Sequence, residues 1–155
     1  MPRPDLFLDS SALFAGVVSS GGAARALLLL AETEFVTLTI SEQVVAETER
    51  ALARKVPRAL AYCREALRST GLRIVRDPSP GEVAAYGDII VHRADVPIVV
   101  AAMKAQVDYL VTLNRRHFID DASVAARSGL RIGTPGDALA WVREQLADGR
   151  RENHG

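Results

Sequence analysis

The residues able to do chemistry in this sequence are mostly acids, and short apolar runs sort those that can work together. Asp9 closes Leu6-Phe7-Leu8 and is followed by Ser10 and Ser11. Thr112 and Asn114 follow Tyr109-Leu110-Val111, and Asp95 starts an apolar segment that returns from the same side. In an open α/β sheet, ligands gather beyond the carboxyl ends of the strands. These residues therefore share one edge, whereas Asp5 and Asp108 precede strands and are discounted as catalytic. Carboxylates collected at one edge are oxygen ligands for a hard divalent cation. Without a cation they repel one another, which raises their pKa values.

Each acid also has a plainer role. Asp9 suits the N-cap of a helix beginning near Ser10. Asp95 suits the same role, with Pro97 in a first turn where its missing donor costs little. Glu47 and Glu49 border opposite sides of the apolar stripe Val44, Val45, Ala51 and Leu52 at about 100° per residue, so periodicity does not choose between them. A solvated glutamate at a helix edge is the ordinary case.

Five strands and the helices between them must position these residues. Strands are expected over residues 5–9, 35–40, 72–75, 109–112 and 130–132, where apolar or β-branched residues cluster. Helices are expected over residues 23–31, from Ser41 as N-cap to about Lys55, 57–69, 82–92, 95–106 and from Pro135 to about Leu146. Asp77-Pro78-Ser79-Pro80-Gly81 is a surface loop within one domain. The alternation implies a three-layer α/β/α domain over residues 1–146 with a central parallel sheet of about five strands. Residues 147–155 are polar and expected to fray.

With 155 residues the chain can bury a core without disulfides. Cys63 is the only cysteine, which excludes an intramolecular disulfide and fits a reducing, cytoplasmic setting. His92, His117 and His154 are far apart and lack helical ligand spacing, which argues against a zinc enzyme. The longest apolar stretch is too short to cross a bilayer, and the first residues lead into a strand and not a signal peptide. Lys plus Arg equal Asp plus Glu at 19 each, so only local clustering can argue for a nucleic-acid partner.

Four segments, in order, resemble the motifs of PIN domains. They are Phe7-Leu8-Asp9-Ser10-Ser11-Ala12-Leu13, Ser41-Glu42-Gln43-Val44-Val45-Ala46-Glu47-Thr48, Asp95-Val96-Pro97-Ile98-Val99-Val100-Ala101-Ala102, and Asp108-Tyr109-Leu110-Val111-Thr112-Leu113-Asn114-Arg115-Arg116-His117-Phe118. The likeness selects Glu47 over Glu49 and spans residues 6–134. One departure stands out. Many PIN domains carry an aspartate two residues after the threonine, or one immediately before the phenylalanine; here those positions hold Asn114 and His117, which weakens a second metal site. Asp120 and Asp121 follow closely and could substitute for the missing acid, although a cap for the next helix is the preferred role.

The resemblance implies Mg²⁺- or Mn²⁺-dependent hydrolysis of RNA, with Asp9, Glu47, Asp95 and Asn114 as catalytic metal ligands. Ser10, Ser11 and Thr112 would position ligands or phosphate, and Arg115 and Arg116 would contact the RNA backbone. Arg50, Arg54, Lys55 and Arg58 form a second basic run; both runs can be read as solvated surface, and for the second that reading is preferred. The chain's compactness resembles toxins of toxin-antitoxin pairs, implying an antitoxin protein as partner and a homodimer. The alternative is a PIN-fold RNA- or protein-binding module with weak or no catalysis. Haloacid-dehalogenase-like phosphatases normally need a second aspartate where this chain has Ser11. Response-regulator receivers need a middle-strand phosphoacceptor and a late lysine, and this chain supplies neither.

Overall fold

The structure is a computed structural model describing residues 3–154, with side chains described as far as residue 150. Its centre is one parallel sheet ordered β3-β2-β1-β4-β5, from β1 (Asp5–Leu8), β2 (Thr37–Ser41), β3 (Arg73–Val75), β4 (Tyr109–Val111) and β5 (Arg131–Gly133). β1 pairs with β2 on one side, Leu6 opposite Leu38, and with β4 on the other, Leu6 opposite Tyr109. The chain builds outward from β1 to β3, then crosses back to lay down β4 and β5. Between β1 and β4 the winding direction reverses, and a crevice opens there beyond the strand ends.

Helices cover both faces, so the central strands carry runs of apolar residues: Leu6, Phe7, Leu8, Leu110 and Val111 are all buried. α1 (Ser10–Val18) packs against α2 (Ala23–Glu32) and α3 (Glu42–Lys55). Gly16 permits the close approach of α1 to α2, because a Cβ there would come within 2.9 Å of Leu28 Cδ1 and 3.2 Å of the Ala24 carbonyl. α4 (Leu60–Ser69) follows a 3₁₀ turn at Pro57–Ala59 and lies against α3. α5 (Pro80–Ala85) and α7 (Ala122–Ser128) flank α6 (Val96–Ala105), an almost wholly buried helix. α8 (Pro135–His154) lies along α2.

The three-layer α/β/α architecture with five parallel strands is as expected, and several boundaries differ. β2 begins at Thr37, because the Phe35 and Val36 amides still bond back to the Leu30 carbonyl at the end of α2 and Glu34 takes a positive φ of 66°. The helix expected over 82–92 ends at Ala85. Gly87 follows, and Ile89 and Ile90 drop into the core from irregular backbone. Asp95 closes a short 3₁₀ turn, Arg93–Asp95, before α6. α8 continues past Leu146 to His154, where a fraying tail was expected. Nothing in residues 147–154 forbids helix, since Gly149 only weakens it. No single helix among the described residues is long and apolar enough to cross a membrane.

Candidate functional site at the β1–β4 crevice

Asp9 stands at the crevice between β1 and β4. Its backbone amide donates to the Val111 carbonyl, tying the end of β1 to β4, and its side chain is 6 % exposed. Oδ1 accepts from the Ala12 amide at 2.9 Å, so Asp9 is indeed the N-cap of α1. Capping does not exhaust it. Ser11 Oγ donates to Oδ1 at 2.6 Å, and Thr112 Oγ1 donates to Oδ2. Both hydroxyls also accept from the loop after β4, Ser11 from the Leu113 amide and Thr112 from the Asn114 amide, each at 3.0 Å. Two hydroxyl relays therefore fix the carboxylate against the fourth motif.

Burial raises the Asp9 pKa above the ordinary carboxylate value, and the negative charge of Asp95 adds to the rise. The hydrogen bonds from Ser11, Thr112 and the Ala12 amide oppose it. An acid so placed favours either a proton or a facing cation.

Asp95 does not cap α6. It occupies the N-cap position with helical backbone angles and makes no side-chain cap bond. Its Oδ2 instead lies 3.2 Å from Nδ1 of His92 and 3.2 Å from Nδ1 of His117. The two imidazoles stack, with centroids 4.4 Å apart and planes 18° from parallel. Sequence distance concealed this pair, although His92 and Asp95 are three residues apart and His117 fills the position where many PIN domains carry an acid. These histidines are the functional candidates that the sequence reading missed. The His154 side chain lies outside the described residues.

Glu47 and Glu49 diverge on α3. Glu47 accepts from Gln43 Nε2 at 3.0 Å, and the same amide reaches the Ala94 carbonyl at 3.3 Å, tying this side of α3 to the turn before Asp95. Glu49 pairs with Arg64 on α4 at 3.8 Å. Glu47 also lines an open groove of about 510 Å³ together with Ser10, Ser11, Arg50, Arg54 and Lys55.

Asn114 is half-buried beside the cluster, but its Oδ1 accepts from the His117 amide at 3.2 Å and so caps the turn Arg115–Ile119. Its Nδ2 lies 3.0 Å from His117 Nδ1. Arg115 lines a second groove, which shares Ala15 and Leu113 with the first. Arg116 is exposed. Asp121 caps α7 through the Ser123 amide, as expected. Asp5 and Asp108 lie at the opposite edge, where Asp108 accepts from the Asp5 amide and Asp5 accepts from Thr39 and Arg73.

A doubly wound parallel sheet with a buried acid held by hydroxyls at its switch point defines the class of protein. The PIN domain family model matches residues 5–116, and the chain belongs to that family. Its members are generally nucleases. No curated protein matches the chain. Among solved structures the fold is shared with PAE2754 from Pyrobaculum aerophilum, at TM-score 0.63 and 19% identity over 91% of this chain and 90% of that one. VapBC2 from Rickettsia felis, solved with a DNA fragment from its promoter, gives 0.60 and 17% over 84% and 98%. DNA-bound VapBC from Salmonella typhimurium gives 0.60 and 18% over 87% and 99%. At these identities the likeness is one of fold.

Proposed function

We propose that the protein is a Mg²⁺- or Mn²⁺-dependent endoribonuclease and the toxin of a cytoplasmic toxin-antitoxin pair. The observation that carries this reading is Asp9: a carboxylate buried at the switch point, held by Ser11 and Thr112, and within electrostatic reach of Asp95. The donor chemistry fits a divalent cation. Asp9 Oδ2 accepts one hydrogen bond and keeps a second lone pair, Asp95 is free of capping duty, and Glu47 lines the groove that Ser10 and Ser11 border.

Asp9, Asp95 and Glu47 would hold the ion. Asn114, whose oxygen is already engaged at the turn, would act by holding water or phosphate. Bound there, the cation supplies Lewis acidity to a phosphodiester and to an attacking water. Ser11 and Thr112 keep the Asp9 rotamer fixed, and Ser10 stands at the groove wall to orient phosphate oxygens. Arg115 and Arg116 flank the route an RNA strand would take over Leu113. The VapBC structures that share this fold support a small antitoxin as partner, and a homodimer belongs to the same reading.

The test uses the full chain, labelled RNA, and Mg²⁺ or Mn²⁺ against a chelator. Cleavage should require the ion and fall by about 100-fold or more in Asp9→Asn, within the several kcal/mol that metal charge stabilisation is worth. The Asn114 oxygen spent on turn capping favours a second reading, a PIN-fold module that binds RNA or protein without cutting. Tight RNA binding with no cleavage under any divalent ion would establish that module.

A further inference from the structure

His92 and His117 aim the same ring atom at the same oxygen. Each Nδ1 lies 3.2 Å from Asp95 Oδ2, and the ligand atoms of all three residues fall within 4.8 Å of one another. Asn114 makes this arrangement informative. Its Oδ1 is committed to the His117 backbone amide, which leaves Nδ2 as the atom facing His117 Nδ1 at 3.0 Å. Nδ2 can only donate and Asp95 Oδ2, as a carboxylate oxygen, can only accept, so the two compete for the one ring nitrogen. One ring nitrogen cannot accept from Asn114 and donate to Asp95 at once.

A cation resolves the opposition. A separation of 3.2 Å is what two adjacent ligand atoms adopt when each is about 2.1–2.2 Å from one ion. Asn114 is half-exposed, so its amide can rotate away when the ring nitrogen is taken, giving up the bond from the His117 backbone amide to Oδ1 as it does so. We propose that His92, Asp95 and His117 form a binding site for a borderline transition-metal ion such as Mn²⁺, Co²⁺ or Zn²⁺, placed beside the Asp9 position and discriminating against Mg²⁺.

Imidazole nitrogen suits first-row transition metals, whereas Mg²⁺ keeps to oxygen ligands and water. The fourth motif lacks an acid at Asn114 and His117, so its second ion is selected by ligand type and not by added negative charge. The inference builds on the metal-dependent reading above, since Asp95 would serve both positions.

The experiment titrates the full metal-free chain with Co²⁺ alone and with Mg²⁺ alone, and follows ¹⁵N-imidazole signals by NMR during addition of Zn²⁺. We expect Co²⁺ to bind at two sites and Mg²⁺ at one. His92→Ala and His117→Ala should each weaken one Co²⁺ site by about tenfold or more, since even groups outside the coordination sphere contribute about 10–100-fold. Zn²⁺ should perturb Nδ1 of both rings. His92 is exposed, so its truncation leaves no cavity and His92→Ala remains a folded test. Unchanged Co²⁺ affinity in both variants, or rings that ignore Zn²⁺, would overturn the site. No RNA enters the measurement, so the two readings fail separately. Silent imidazoles beside Mg²⁺-dependent cleavage refute only this site, and metal-bound imidazoles without cleavage refute only the nuclease.

Discussion

Burial of Asp9 raises its pKa, so its ionisation costs folding free energy wherever no cation faces it. From the ordinary value of 3.8 up to the raised folded value, the native state holds more protons than the unfolded chain. Metal-free stability contributed by this group therefore falls as pH rises across that window and stays low above it. Asp5 is also raised, chiefly by burial, so the comparison must isolate Asp9. In chelator, the melting temperature of the wild type minus that of Asp9→Asn should decline from about pH 4 upward and level off once the folded value is passed. Mg²⁺ should reverse the decline in the wild type alone. A difference independent of pH would mean that Ser11, Thr112 and the Ala12 amide fully offset the burial. Asp9 was legible because strand-end position and motif both marked it. Ser11 and Thr112 were expected to position ligands, but which oxygen of Asp9 each one holds was not legible, since Thr112 lies far along the chain and meets Asp9 only across the sheet.

At the level of elements, the turn after β4 decides how the site is assembled. Phe118 is 2 % exposed and anchors that turn in the core, while His117 projects from it toward Asp95 with Asn114 at its side. Phe118→Ala should cost about 3–5 kcal/mol in denaturant unfolding, as for other buried aromatics. Residual folded protein should cut RNA more slowly, because the turn that holds His117 is loosened while β1 and Asp9 keep their own packing. Stability unchanged within error would show that the turn is held elsewhere. The helix–strand alternation was legible from periodicity, and Ser41 and Asp121 cap the helices that their residue types favour. The segment after α5 was not, because the pull of Ile89 and Ile90 into the core outweighs local helical pattern there.

Across the whole molecule the formal charge is zero, yet cations are not spread evenly. Arg50, Arg54 and Lys55 line the first groove and Arg115 the second, with no ion pair to any of them among the described residues. RNA attraction on this reading comes from one face and not from net charge. Replacing Arg115 and Arg116 with Ala should weaken RNA binding and flatten its dependence on log salt by about 0.7 for each single-strand phosphate no longer neutralised. Binding isotherms at several salt concentrations measure this, and an unchanged slope would remove both arginines from the RNA path.

By itself, the sequence determined the features carried by local pattern: the succession of strands and helices, the edge to which Asp9, Asp95 and Thr112 belong, and the opposite edge for Asp5 and Asp108. Hydrophobic period and capping preference act over a few residues, so they can be read in order along the chain. Only the tertiary structure decided which surfaces meet. Glu47 turns toward the groove while Glu49 pairs with Arg64, a choice helical period left open and motif resemblance alone had made. His92 and His117 stack beside Asp95 because the irregular segment before α6 and the turn after β4 close on each other. Neither segment has a period, and their meeting is set by the buried residues that anchor them, Ile89 and Ile90 on one side and Phe118 on the other.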